Sequence, residues 1–246
     1  MIIKHLRRLF FKEHKESFYT SQKGQDSYLL NTIFKANEYG LKRNGYFIDL
    51  ACADGVNLSN TYVLEKHLGW KGLLIDANPK YRESIISNRS STYLDYCVSD
   101  RDNEIIKFRI DNGMLSGIVS DDFDNNKKTR GTELKNAEII KLKTKTLTSI
   151  LNECKAPELI DFMSLDIEGA ELPAIKGLDF SKYLIMVICI ERPNLELALL
   201  LDKLGYRQIK FINQDMFFVH EQFENNYGFK VTSEENIFQF TARKTW

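Results

Sequence analysis

Tyr46-Phe47-Ile48-Asp49-Leu50, the turn Ala53-Asp54-Gly55, and then Gly72-Leu73-Leu74-Ile75-Asp76 are the residues on which the fold turns. A short apolar run ends at an acid, a turn and a helix-length segment follow, and a second apolar run ends on another acid. Ser59 is placed to cap a helix over 59–67, and Gly69 to end it. Asn78-Pro79 opens the next helix, with proline near the first position, where it is tolerated. Working outward, the runs 92–98, 105–110, 139–144, 160–166 and 184–191 read as further strands. The last is almost continuously apolar, as expected of a strand buried on both faces. Segments 147–153 and 195–204 read as helices, the second stopped by Gly205. The runs 205–211 and 216–220 can form a terminal hairpin across Asn213-Gln214-Asp215. Alternating strands and helices predict an α/β domain, a mostly parallel sheet covered by helices on both faces. The Gly-bearing stretch 111–136 interrupts the pattern and reads as a long irregular loop, a flap near a substrate site or a plain insertion.

The chain has 246 residues, 43% of them hydrophobic, enough for one sizeable core. Lys+Arg and Asp+Glu both number 34, so no net charge draws the chain toward nucleic acid, and no nucleic-acid partner is expected. The four cysteines, Cys52, Cys97, Cys154 and Cys189, have no zinc-ligand spacing and read as small buried residues in a reducing, cytoplasmic setting. No stretch has the length of a membrane span. The first residues, Met1 to Lys12, are basic and apolar. They could touch a membrane surface weakly, although a packing helix is the favoured reading. Residues 1–20 are thus a basic N-terminal segment, 21–220 the catalytic domain, and 221–246 an aromatic-rich tail that packs on the domain or on a second copy in a homo-oligomer.

Acids recur at the carboxyl ends of apolar runs: Asp49, Asp76, Asp166 and Glu191. In open α/β sheets ligands bind along that edge. A buried strand-end carboxylate costs free energy unless it is paired or used, so four in successive strands describe one polar rim. The first turn is not a dinucleotide fingerprint, because Ala51 and Ala53 stand where glycines would be expected and only Gly55 remains. Asp76, after the second strand, suits a grip on a ribose diol; its competing role is capping the helix at Pro79.

The blocks Ser21-Gln22-Lys23-Gly24-Gln25-Asp26, Gly45-Tyr46-Phe47-Ile48-Asp49, Asp54-Gly55-Val56-Asn57-Leu58-Ser59-Asn60-Thr61, Glu65-Lys66-His67-Leu68-Gly69-Trp70-Lys71-Gly72-Leu73-Leu74-Ile75-Asp76-Ala77-Asn78-Pro79 and Asp161-Phe162-Met163-Ser164-Leu165-Asp166-Ile167-Glu168-Gly169-Ala170-Glu171-Leu172 resemble the FkbM-type methyltransferase family. The resemblance spans about Ser21 to His220. It implies a Rossmann-like class I methyltransferase fold with a seven-stranded sheet, the last strand antiparallel. It also implies S-adenosylmethionine as methyl donor and a hydroxyl acceptor, often on a sugar. The chain departs from the family pattern at Ala51-Cys52, where Gly-Ala is usual, and at Asp76, where Glu is common.

By position within that resemblance, Asp49, Ala51, Asp54, Asn57, Ser59 and Asn60 should surround the methionine part of the cofactor. Asp76 and Ala77 should hold its ribose, and Asp95, Tyr96 and Cys97 should lie near its adenine. Gln25, with Gln22 and Asp26, could close over it from the N-terminal side, or these residues could simply cap a helix. Asp166, Glu168 and Glu191 are the catalytic candidates, because an acceptor hydroxyl needs a positioned base. The same carboxylates leave room for a divalent metal. Glu168 could instead cap the helix beginning near Ala170, and Glu171 should favour that helix's dipole. His220 is a second base candidate whose competing reading is a satisfied surface histidine. The expected activity is O-methylation of a saccharide or other small-molecule hydroxyl in glycan biosynthesis. A nicotinamide-dependent Rossmann enzyme and a non-catalytic binding module are the alternatives.

Overall fold

The computed structural model describes residues 18–232. The expectations for the basic N-terminal segment and for most of the aromatic tail fall outside those residues. Seven strands form the main sheet: β1 (Tyr46–Leu50), β2 (Lys71–Ile75), β3 (Thr92–Leu94), β8 (Leu159–Leu165), β9 (Leu184–Glu191), β10 (Tyr206–Ile212) and β11 (Asp215–His220). Their spatial order is β10-β11-β9-β8-β1-β2-β3. Strands β3, β2, β1, β8 and β9 run parallel, and β11 lies antiparallel between β9 and β10. The expected seven-stranded α/β sheet with a terminal hairpin is therefore what the chain forms. A second sheet, order β4-β7-β5-β6, comprises β4 (Cys97–Val98), β5 (Ile105–Arg109), β6 (Gly117–Ile118) and β7 (Ile139–Lys145).

Period-two alternation assigns each side chain of the central strands to one face. Ile48 and Leu50 of β1 join Met163, Leu165, Ile188 and Ile190 in one apolar cluster, covered by the helices Leu147–Glu153, Glu171–Lys176 and Leu195–Lys203. Phe47 faces the other way with Phe162, Val187 and Phe217, beneath the helical segments Gln25–Tyr28, Leu29–Ile33 and Tyr62–Leu68. Phe223 and Val231 are buried in this second cluster, so the start of the C-terminal segment packs on the domain itself. The four cysteines are free; Cys52, Cys97 and Cys189 are buried.

Two expectations about local structure need correction. The run 92–98 is not one strand: Thr92–Leu94 belongs to the main sheet and Cys97–Val98 to the small one. One apolar run serves two sheets because the chain changes partner at Asp95-Tyr96. The stretch 111–136 is not a structureless loop. It contains a 3-10 turn (Gly113–Leu115), strand β6 and a helix (Lys127–Leu134) capped by the Asn126 side chain, which accepts from the Thr129 amide. Its elements are too short for periodicity to reveal.

Close approach of β1 and β2 requires Gly72, because a Cβ there would collide with the Phe47 carbonyl oxygen and ring. Gly72→Ala is expected to destabilise the fold by about 2–3 kcal/mol through overpacking, lowering Tm by roughly 4–12 °C. A melting curve checks this, and an unchanged Tm refutes the tight fit.

Candidate active site

Strand order reverses between β1 and β8. From that point the chain builds outward to β2 and β3 on one side and to β9 on the other, so the carboxyl ends of β1 and β8 frame a crevice. A cleft enclosing about 540 Å³ of empty space, part of it open to solvent, lies there. Its floor is Leu50, Ala51, Ala53, Ile75 and Asp76; its far wall is Phe108, Met114, Gly117 and Ile118 of the small-sheet region. The irregular stretch is thus one wall of the cleft.

Asp76 is buried at the end of β2. Its Oδ2 accepts from the Ala53 amide (2.9 Å) and its Oδ1 from the Asn78 amide (2.8 Å). These bonds fix the carboxylate plane and leave one lone pair on each oxygen. Burial pushes the Asp76 carboxyl up to about 7, against the two amide bonds that lower it and with the nearby Asp49 adding to the rise. The helix-capping role weighed for Asp76 belongs to Asn78, whose side chain accepts from the Lys80 amide.

On the other face of β1, Asp49 is buried and accepts from the Thr61 hydroxyl. Ser59 Oγ accepts from the Thr61 and Tyr62 amides, so it steadies the entry to the Tyr62–Leu68 helix from three residues before it rather than beginning the helix itself. Asn60 Nδ2 donates to Ser164 Oγ on β8 (3.0 Å), while the buried Oδ1 of Asn60 has no partner. Asp54 folds back on its own turn, accepting from the Val56 and Asn57 amides.

The catalytic candidates converge. Asp166, Glu168 and Glu191 each bring one carboxylate oxygen within 4.8 Å of the others. Ile167, between the first two, lines the cleft, so the acids stand at its edge. Asp166 is exposed, with the carboxylates of Glu168 and Glu191 crowded against it. Desolvation, followed by the neighbouring Glu191 and Glu168 carboxylates, holds the Asp166 carboxyl well above the usual range. Glu168 is buried, and desolvation raises it too, against the opposing pull of Arg192 and Arg130. Arg192 grips Glu191 Oε2 with Nε (2.9 Å) and Nη2 (2.5 Å), reaches Glu168 (3.3 Å) and pairs with Asp124 (2.9 Å). Arg130, from the far wall, pairs with Glu168 (3.1 Å). Glu168 and Arg192 both sit at positive φ, 57° and 45°, a conformation that persists in such residues only when the surroundings over-determine it.

Glu168 therefore does not cap the helix after β8. Glu171 does the local work, accepting from the Ile167 and Gly169 amides, and burial lifts its carboxyl to about 7. His220 is buried rather than at the surface. Its Nδ1 accepts from the Gln222 amide and its ring packs edge-on against Tyr206, away from the acids.

Residues 49–231 match the family model described as the methyltransferase FkbM domain. The chain belongs to the FkbM methyltransferase family. Membership makes methyl transfer the activity of the domain and leaves the nicotinamide reading without support. A solved structure of a SAM-dependent methyltransferase from Aquifex aeolicus is also similar, at 12% identity and a TM-score of 0.31, over 78% of this chain and 90% of that one. No curated protein matches the chain.

Within the FkbM domain the expected cofactor residues separate into groups. Ala51, Asp76, Ala77, Tyr96 and Cys97 line the cleft. Asn60, in the adjoining loop, keeps a buried Oδ1 without a partner, and Asp49, Asp54, Asn57 and Ser59 hold that loop together. Asp95 is turned outward in an exposed ion pair with Arg82, and Gln25 donates to Asp215 beside Glu191. Asp26 accepts from the Thr20, Ser21 and Ser27 amides, the helix-end role weighed for it. Sequence reasoning missed the ion-pairing roles of Arg89, Arg130 and Arg192, while the stretch 111–136, read as a flap near a substrate site or a plain insertion, does line the cleft through Met114, Gly117 and Ile118. Arg192 alone carried a signal, following directly on Glu191.

Proposed function

We propose that the chain is an S-adenosylmethionine-dependent O-methyltransferase that methylates a sugar hydroxyl of a glycan or glycoconjugate. The observation that carries the reading is the continuity of two sites: a cleft with a fixed carboxylate at the end of β2, opening at Ile167 onto the Asp166–Glu191 pair. The residues suit the donor. Asp76 offers its two remaining lone pairs to a ribose diol, Asn60 Oδ1 is a buried acceptor for an ammonium group, and Tyr96, Cys97 and Ile118 provide a largely apolar slot for a base. The bound donor supplies a methyl group on a sulfonium, open to in-line displacement.

The chain's own part is to align the acceptor and take its proton. Asp166 and Glu191, whose carboxylate oxygens lie within 4.8 Å of each other, can take up the hydroxyl proton, and Asp166, exposed at the surface, can release it to solvent. Grouped carboxylates also suit the neighbouring hydroxyls of a saccharide, which donate to them. They suit a divalent cation less well, since Glu168 and Glu191 are already engaged by Arg130 and Arg192, and no step is routed through a metal. Among the described residues no helix is long and apolar enough to cross a membrane.

Incubation with methyl-labelled S-adenosylmethionine and a panel of sugar nucleotides and glycan extracts is expected to label a saccharide. Label confined to non-sugar acceptors overturns the substrate class, and calorimetry showing no binding at millimolar donor overturns the cofactor.

A further inference from the structure

The loop between β1 and the Tyr62–Leu68 helix is strained throughout. Ala51 (φ 62°), Ala53 (φ 47°) and Leu58 (φ 60°) all occupy the left-handed region, as does Gly55 (φ 80°). Each such non-glycine residue costs about 1–2 kcal/mol relative to ordinary backbone, so something must hold the loop in this form. The Arg89 side chain does. It has no solvent-exposed surface and lies at the end of the Arg82–Asn88 helix, remote in sequence from the loop. Its Nη1 donates to the Gly55 carbonyl (2.9 Å) and Ser59 Oγ (3.4 Å), and its Nη2 to Thr61 Oγ1 (3.0 Å) and the Thr61 carbonyl (3.4 Å). Nε is held by Glu65 Oε2 (3.0 Å), and the other Glu65 oxygen accepts from the Ser90 amide (2.7 Å) and hydroxyl. Thr61 in turn donates to Asp49. One guanidinium thus ties three positions of the loop to the helix that follows it and to the end of β1. The Cβ position of Gly55 lies 2.8 Å from Arg89 Cγ, so the glycine also makes room for the arginine stem.

We propose that Arg89 is a positioning residue for the donor site: by clamping Gly55, Ser59 and Thr61 it sets the strained loop that presents Ala51, Ala53 and Asn60. The loop's role in donor binding rests on the function proposed above; the clamp itself does not. Arg89 touches no part of the cleft, so its effect reaches donor affinity through loop geometry and leaves the proton-accepting pair alone. Simple truncation of Arg89 would strand Glu65 and risk unfolding, whereas replacing both partners of a buried ion pair with apolar side chains is often neutral for stability.

The test is therefore the double variant Arg89→Met/Glu65→Leu beside Arg89→Lys, in the full chain. Amide hydrogen exchange over residues 51–61 is expected to accelerate at least about tenfold in the double variant, and less in Arg89→Lys, with the rest of the sheet still protected. The Kd for S-adenosylmethionine is expected to weaken at least about tenfold while kcat at saturating donor stays within about threefold. Exchange over the loop unchanged from wild type overturns the clamp. Accelerated exchange with an unchanged Kd overturns its role in donor binding. Failure of the wild type to bind the donor overturns the cofactor reading instead, and the exchange comparison still decides the clamp.

Discussion

Turnover of the Asp166→Asn variant is expected to fall by about 10²–10⁴-fold, the usual contribution of a positioned general base. Asparagine keeps the size of the side chain and can still donate to Glu191, but it cannot take a proton. The wild-type carboxyl is held well above the normal range by desolvation and by Glu191 and Glu168. Turnover should therefore rise with pH as Asp166 loses its proton, and that slope should flatten in Asp166→Asn. Donor affinity should stay within about twofold, because Asp166 lies at the edge of the cleft and not in its lining. Steady-state kinetics across pH, paired with calorimetry, separates the two quantities. A variant retaining turnover within threefold of wild type would show that methyl transfer here needs alignment but no carboxylate base at this position.

The Asp76→Ala variant is expected to bind S-adenosylmethionine about 10²-fold more weakly. Hydrogen bonds to a charged acceptor contribute roughly 1.5–3 kcal/mol each, and the ribose diol offers two. The Ala53 and Asn78 amides also lose their acceptor, so the neighbouring turn loosens. Asp76→Asn is the milder companion, keeping an acceptor oxygen for one of the two amides. The raised carboxyl predicts a pH signature. With its value moved from an ordinary 3.8 up to about 7, the folded protein holds a proton there that the unfolded chain has released, between those two values. Asp76 therefore contributes stability that is fully present below about 4 and is lost as pH rises through 7. Donor binding needs the ionised acceptor, so affinity should improve from pH 6 to 8, and the variants should lose that dependence. Titrations at three pH values measure it; an Asp76→Ala variant with wild-type affinity at pH 8 rejects the ribose assignment.

Much of the sheet is legible from local pattern. The runs 147–153 and 184–191 carry one element each, and their expected bounds coincide with the helix Leu147–Glu153 and strand Leu184–Glu191. Burial on one or both faces imprints itself on every residue of such a run. Gly69 and Gly205 end their helices at φ 69° and 85°, a backbone state that glycine adopts without strain. The small sheet was harder to see because β4 and β6 are two residues long, below the length at which any period exists. The register of β4 comes from β7, nearly fifty residues on, and that of β6 from β5 across an irregular turn.

The candidate site divides along the same line. Asp49, Asp76, Asp166 and Glu191 were visible because an acid closing an apolar run is a local anomaly, and the strand order then brings these ends to one edge. What each acid does was not visible. Asp49 and Asp76 look alike in sequence, yet one is turned toward Thr61 and the other toward the cleft, since each strand's alternation meets a different neighbour. Glu168 looks like a helix cap, yet it is held at positive φ between Arg130 and Arg192. Arg89, Arg130 and Arg192 act on groups tens of residues away in the chain, and ion pairing at that separation leaves no periodic trace. The amino-acid sequence by itself determined the α/β class, the order of the main elements and the polar rim, because burial and backbone preference act residue by residue. Only the tertiary structure decided which of the rim's acids face the cleft, which pair with each other and which are tied to arginines, because those roles depend on distances between segments that the chain brings together only on folding.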